Sequence, residues 1–133
     1  MNLKFIVIAL LVSLVFACGK TNKSEKAEMY EASELSSMMR DMVDFSKAAK
    51  QSLADGKTID SIPSHFWGLK EAHATRDEHL EKPFQDMTAP YLNALKGIER
   101  ADSQMYFYNA SIDACKSCHS VYCGGPMEII NQL

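Results

Sequence analysis

Cys115-Lys116-Ser117-Cys118-His119 is the stretch of this chain whose residue types and spacing can do chemistry. Two thiols three positions apart, followed at once by an imidazole, form the C-x-x-C-H pattern of covalent haem attachment. Each thiol can add across a vinyl group of the porphyrin to give a thioether. The histidine can then offer a ring nitrogen to the iron as proximal ligand. On a helix, Cys115, Cys118 and His119 stand at i, i+3 and i+4 and so share one face. The same pair could instead be a redox dithiol or half of a zinc site, with Cys123 as a third sulfur. A dithiol of the thioredoxin kind opens a helix after a strand, and no strand-period segment precedes this one. The expected cofactor is one haem c per chain.

The elements that must hold this motif are helical. From Glu28 to Ala54 there is neither Gly nor Pro, and Leu35, Met38, Met39, Met42, Val43 and Phe45 recur mostly at threes and fours, which predicts an amphipathic helix over 28–54. Asp55-Gly56 ends it, with the glycine free to take a left-handed conformation. Ser64 is positioned to cap a second, shorter helix over 65–74. The charged run 75–82 reads as a loop. Pro83 suits the first turn of a third helix, which Pro90 would kink or restart. Its buried side would comprise Phe84, Met87, Tyr91, Leu92, Leu95 and Ile98. Asp102 or Ser103 caps a fourth helix running to about Tyr122, with Met105, Tyr108, Ile112, Cys115 and His119 as its seam. Met127, Ile129, Ile130 and Leu133 form an apolar tail expected to fold back on the rest. The fold class expected is all-α, an antiparallel four-helix bundle over 28–133 enclosing one covalent haem.

The start of the chain carries an export signal. Lys4 followed by the apolar run from Phe5 to Phe16 reads as a signal peptide over 1–17. Val15-Phe16-Ala17-Cys18 is similar to a bacterial lipobox, which makes Cys18 a lipidation site, although an ordinary cleavage site that leaves Cys18 a free thiol is the alternative. Residues 18–27 are polar and read as a tether between a lipid anchor and the folded domain. The expected location is the cell envelope, membrane-anchored and facing the periplasm or the cell exterior. Covalent haem attachment takes place on that same side of the membrane. The whole chain has 14 basic and 17 acidic residues and a formal charge of −3, a balance that argues against nucleic acid as partner.

The order of a Met-bearing first helix and a C-x-x-C-H near the end of the last helix resembles the class II cytochromes c, the family of cytochrome c-prime and its low-spin relatives. Ala114-Cys115-Lys116-Ser117-Cys118-His119-Ser120-Val121-Tyr122 is similar to that family's last helix, including the aromatic three residues after the histidine. Cys123, where the family often has a basic residue, and the tail Cys123-Gly124-Gly125-Pro126-Met127 depart from it. The resemblance implies that the residue opposite His119 lies on the first helix, roughly four to five turns before Gly56. Met39 and Met42 both meet that requirement. Met38-Met39-Arg40 resembles a Leu-Met-Lys stretch of the low-spin relatives, which favours Met39 as distal ligand with Met42 in reserve and Met38 as core. It also implies Arg40 as a propionate partner, with a solvated face residue as the equal alternative. Tyr108, two turns before Cys115, and Tyr122, one turn after His119, could border the haem, although core packing suits both tyrosines equally.

Two functions follow from two coordination states. A six-coordinate His/Met iron makes a membrane-tethered electron carrier serving redox partner proteins. A five-coordinate iron makes a protein that binds nitric oxide or carbon monoxide. No set of acid, base and nucleophile converges, so no enzyme is expected. His65, His73 and His79 read as surface residues, with a minor claim as rival axial ligands. Cys123 is the thiol left over, expected to be buried and structural. The alternative is a disulfide within a homodimer, a state the family resemblance allows.

Overall fold

The computed structural model describes residues 31–100 and 102–133. The signal peptide, Cys18, the tether and the first residues of the expected helix lie outside the described residues. Those described are helical, without strands: α1 (Glu34–Ala54), α2 (Lys82–Ile98), α3 (Gln104–Tyr122) and the single-turn α4 (Met127–Ile130). Two short 3-10 segments, Ser64–Gly68 and Asp77–Leu80, lie between α1 and α2. None of the described helices is long and apolar enough to cross a membrane.

Local chemistry sets the ends of α1. The Ser33 hydroxyl accepts from the Ser36 N–H at 3.3 Å, satisfying one of the amide groups that a helix start leaves unpaired. At the other end Gly56 has φ +72°. Its N–H donates to the Leu53 carbonyl and the Lys57 N–H to the Ser52 carbonyl, which is a Schellman closure. Leu35, Met38, Met42, Ser46 and Ala49 form the buried stripe between these ends. Each large apolar side chain on it contributes about 1.5–3 kcal/mol. The helix starts at Glu34, so 31–33 are not part of it.

The expected second helix over 65–74 does not form. In its place the Phe66, Leu69 and Glu71 N–H groups donate to carbonyls three residues back. Phe66, Leu69 and Ala72, three apart, are buried. That period matches three residues per turn and not 3.6, and Pro63 and Gly68 both shorten any α-helical run. Phe66 is fully covered and meets the edge of Phe45 on α1 at 5.6 Å between ring centres. The charged run contains a 3-10 turn as well, where a plain loop was expected.

Pro83 sits in the first turn of α2, and Pro90 is contained within a continuous helix. Asp86, whose carbonyl loses its partner at Pro90, and Pro90 itself are both exposed, so the missing hydrogen bond falls where water can replace it. A short connection leads to Ser103, which stands at the N-cap position of α3 but whose hydroxyl donates to the Asp102 carboxylate and caps no helix N–H. Gly97 and Phe107 bring the two helices close, since a Cβ on Gly97 would overlap the Phe107 ring. The first turn of α3 is rotated from the expectation: Met105 is exposed and Gln104 is buried. The Gln104 amide donates to the carbonyls of Ile59 (2.8 Å) and Ile98 (2.9 Å) and accepts from the Ile59 N–H (2.8 Å). In the tail Ile130 is buried but Ile129 is exposed. Backbone carbonyls of Gln132 and Leu133 accept from Lys50 and Tyr108 at 2.9 Å each, which ties the tail to α1 and α3.

Candidate functional site

Cys115, Cys118 and His119 lie in the last two turns of α3, all three half-buried. The helix stops immediately beyond them because Gly124-Gly125-Pro126 cannot continue it. Its end supplies a positioning contact: the His119 ring Nδ1 lies 2.9 Å from the Cys123 carbonyl. A carbonyl only accepts, so Nδ1–H is the donor, and in the neutral ring the lone pair is then on Nε2. That is the arrangement found in metal-bound histidines, whose second nitrogen is tied to a carbonyl or carboxylate.

The thiols are in the reverse of a redox-dithiol setting. Burial, and then the neighbouring Cys118, push the Cys115 thiol up to about 12. Burial also raises Cys118. Dithiol catalysts need a lowered thiolate pKa, commonly from a helix N-terminus, whereas these cysteines occupy the carbonyl end of a helix. A zinc module fares no better. Among the described residues no group of three or more His, Cys, Asp or Glu side chains could hold a metal ion. Cys123 is exposed, correcting the expectation that it is buried; its carbonyl, not its sulfur, is what His119 engages.

Around the motif stand aromatic groups from α2 and from the segment before it. Tyr122 meets Phe84 edge-on at 5.2 Å and His79 at 5.9 Å. His79 stacks at a tilt on Phe84 at 4.7 Å and has only 12% of its side chain exposed, so it is not the surface residue expected. Burial, then Arg76, with His119 adding and Glu78 opposing, holds the His79 imidazole below its ordinary value. Arg76 donates to the Tyr122 carbonyl at 2.9 Å and closes the end of α3. Tyr108 is buried, and its hydroxyl donates to Leu133. His65 and His73 are exposed, as expected: His65 pairs with Asp41 at 3.2 Å, and the His73 N–H donates to the Glu34 carboxylate.

The candidates on α1 divide by burial. Met38 and Met42 are each 5% exposed, enclosed by protein side chains. Met39 packs on the same core but is only partly covered. Arg40 is exposed and makes no ion pair with a described residue.

Comparison with protein-family models, curated proteins and solved structures found no match.

By sequence Tyr91 reads only as core. Its hydroxyl is buried without a hydrogen-bond partner among the described residues. Burial, then the nearby Cys115, raise its pKa. An orphaned buried hydroxyl costs about 1–3 kcal/mol, so this one marks a place where protein atoms alone do not complete the packing. The residues fit a haem: two thiols free of disulfides among the described residues, an oriented imidazole, a partly covered Met39 on α1 and an apolar, aromatic surround. Sequence reasoning also missed Gln104 and the Cys123 carbonyl. The spacing of Cys123, four after His119 at a helix end, could have pointed to its carbonyl.

Proposed function

We propose that this chain is a monohaem c-type cytochrome of class II type, an antiparallel four-helix bundle enclosing one covalent haem and acting as a membrane-tethered electron carrier. The observation that carries the reading is the His119–Cys123 hydrogen bond within C-x-x-C-H, which leaves Nε2 as the free, oriented donor. Cys115 and Cys118 would hold the group through their sulfurs, and His119 would offer Nε2 to its iron. Tyr108 and Tyr122 serve as walls. The haem would supply a one-electron iron couple, and a methionine thioether as second protein ligand beside the histidine would favour its reduced state.

Two sets of contacts support Met39 as that thioether. Near the start of α1, the Leu35 N–H donates to the His73 carbonyl, and three residues on Arg76 reaches Tyr122 at the end of α3. Farther along α1, Lys50 joins the tail that Tyr108 also binds. At 1.5 Å of rise per residue on both helices, the turns of Cys115 to His119 come level with those of Met38 to Met42. Of these methionines, Met39 is the one that is only partly covered. Arg40, one residue on and exposed, is available to a propionate. Lipidation at Cys18 would keep the carrier at the membrane, beside its redox partner proteins.

An optical spectrum of the mature protein, oxidised, reduced and under carbon monoxide, tests the reading. Sharp reduced bands untouched by carbon monoxide are expected. Met39→Leu should turn that spectrum high-spin, while Met42→Leu should leave it low-spin and lower stability only. A wild-type spectrum that shifts with carbon monoxide would assign the protein to gas binding. Absence of any Soret band would end the haem reading altogether.

A further inference from the structure

The segment 73–76, between the two 3-10 turns, is bonded to both helices of the proposed haem site. At one end His73 makes two bonds with the start of α1. Its carbonyl accepts from the Leu35 N–H at 2.9 Å, and its own N–H donates to the Glu34 carboxylate at 2.9 Å. At the other end the Arg76 guanidinium donates to the Tyr122 carbonyl at 2.9 Å, in the last turn of α3. Two neighbours aim that guanidinium, the Glu78 carboxylate at 3.1 Å and the His79 Nε2 at 3.3 Å. Ala72 and Ala74, on either side of His73, are buried and pin the segment to the core. The helix start needs the contact, because the first N–H groups of α1 have no partner within the helix. Leu35 stands four residues before Met39, about 6 Å along α1, and Tyr122 stands three residues after His119, about 4.5 Å along α3. The segment is therefore a strap, fastened about one turn from each residue read as an iron ligand.

We propose that Glu34 and Arg76 are positioning residues that hold Met39 at the sixth position of the iron, so that the strap keeps the protein a closed electron carrier and its loss opens the iron to small gases. This rests on the haem reading with Met39 as distal ligand. Moving this end of α1 away from α3 withdraws Met39 and breaks the strap at His73 or at Tyr122, so the strap bonds oppose opening. A merely structural strap would change stability and leave the sixth position closed.

The test is carbon monoxide titration of the reduced, haem-loaded mature chain, followed by its optical spectrum and carried to raised gas pressure. The apparent affinity scales with the fraction of molecules whose sixth position is open. Losing one exposed hydrogen bond that exists only in the closed form should raise that affinity about three- to tenfold, in Glu34→Ala and in Arg76→Met alike. Glu34→Gln keeps an acceptor for the His73 N–H and should stay near wild type. Ser33→Ala removes the cap of the same helix without touching the strap, and should lower stability while leaving carbon monoxide affinity unchanged. Amide exchange on the same samples reads the strap itself: the His73 N–H should exchange faster in Glu34→Ala and at the wild-type rate in Glu34→Gln. Strap variants as inert to carbon monoxide as the wild type would overturn the proposal. So would a rise in Ser33→Ala equal to theirs, or a His73 amide indifferent to Glu34. A wild-type chain without a Soret band, or one that binds carbon monoxide as an open iron, would overturn it together with the six-coordinate reading, and the wild-type spectrum alone identifies that outcome.

Discussion

Replacing Gln104 by methionine, a side chain of similar length without the amide, should be among the most destabilising single changes in the described region. Gln104 is 6% exposed. It satisfies three backbone groups at once, the N–H and carbonyl of Ile59 and the carbonyl of Ile98. Gln104→Met would leave all three without a partner. Each unsatisfied buried group costs about 1–3 kcal/mol, so full burial of all three sets an upper range of about 3–9 kcal/mol. Partial access of water and the better burial of an apolar side chain reduce this to roughly 3–4 kcal/mol. That is a large share of the roughly 5–15 kcal/mol that typically holds a domain together, and it corresponds to a fall of about 12–25 °C in Tm. Urea unfolding followed by helical circular dichroism would measure it. Gln104→Glu sharpens the test. A carboxylate keeps the acceptor for the Ile59 N–H but presents an oxygen to two carbonyls. The folded state then prefers the protonated acid, and the carboxyl pKa rises above its unfolded value of about 4.3. The stabilising protonated form is present at acid pH and is lost as pH rises through the folded value, so the deficit relative to wild type should shrink on acidification. A loss below about 1 kcal/mol for Gln104→Met, or a pH-independent deficit for Gln104→Glu, would refute the clamp.

Gly97→Ala should destabilise by about 1–3 kcal/mol, since the added methyl overlaps the Phe107 ring near its root and the better helix propensity of alanine recovers only about 1 kcal/mol; denaturant midpoints decide it, and a stabilised variant would show that the ring yields freely. His79, held below its ordinary value chiefly by burial and by Arg76, makes stability fall as pH drops through the normal histidine range, because the folded state disfavours the charged form. His79→Gln should flatten that slope in unfolding measured between neutral and mildly acid pH, and an unchanged slope would assign it to other groups. In the haem-free chain, mass mapping after iodoacetamide treatment at mildly alkaline pH should find exposed Cys123 labelled first and Cys115 last, slower by about a hundredfold or more given a thiol pushed up to about 12. Comparable rates would mean that the motif opens readily to solvent.

The local features of the chain are legible in its sequence. Ser33 is one of several serines near the start of α1 and carries no distinct signal, but Gly56 closing α1 and Pro83 opening α2 act as their residue types dictate, and Ser103 marks the start of α3 without a side-chain cap. Helix ends depend on groups a few residues apart, so sequence reports them well. The segment after Ser64 misleads because a run of apolar and charged residues without strand pattern suggests an α-helix, while its buried residues recur every three.

What the sequence by itself determined is the C-x-x-C-H unit, its common helical face, the helical class and the stripe of α1. These rest on covalent order and helical period alone. Only the tertiary structure decided that Gln104 is buried and Met105 exposed, against their hydrophobicity. The reason is that backbone groups of Ile59 and Ile98, distant in sequence, need the amide. It likewise decided that Met39 is only partly covered while Met42 is buried, that Cys123 serves through its carbonyl, and that the buried Tyr91 hydroxyl has no hydrogen-bond partner among the described residues. Which hydrogen-bonding groups find partners, and which surfaces are already filled, depends on elements brought together from different parts of the chain. Helical periodicity carries no record of that.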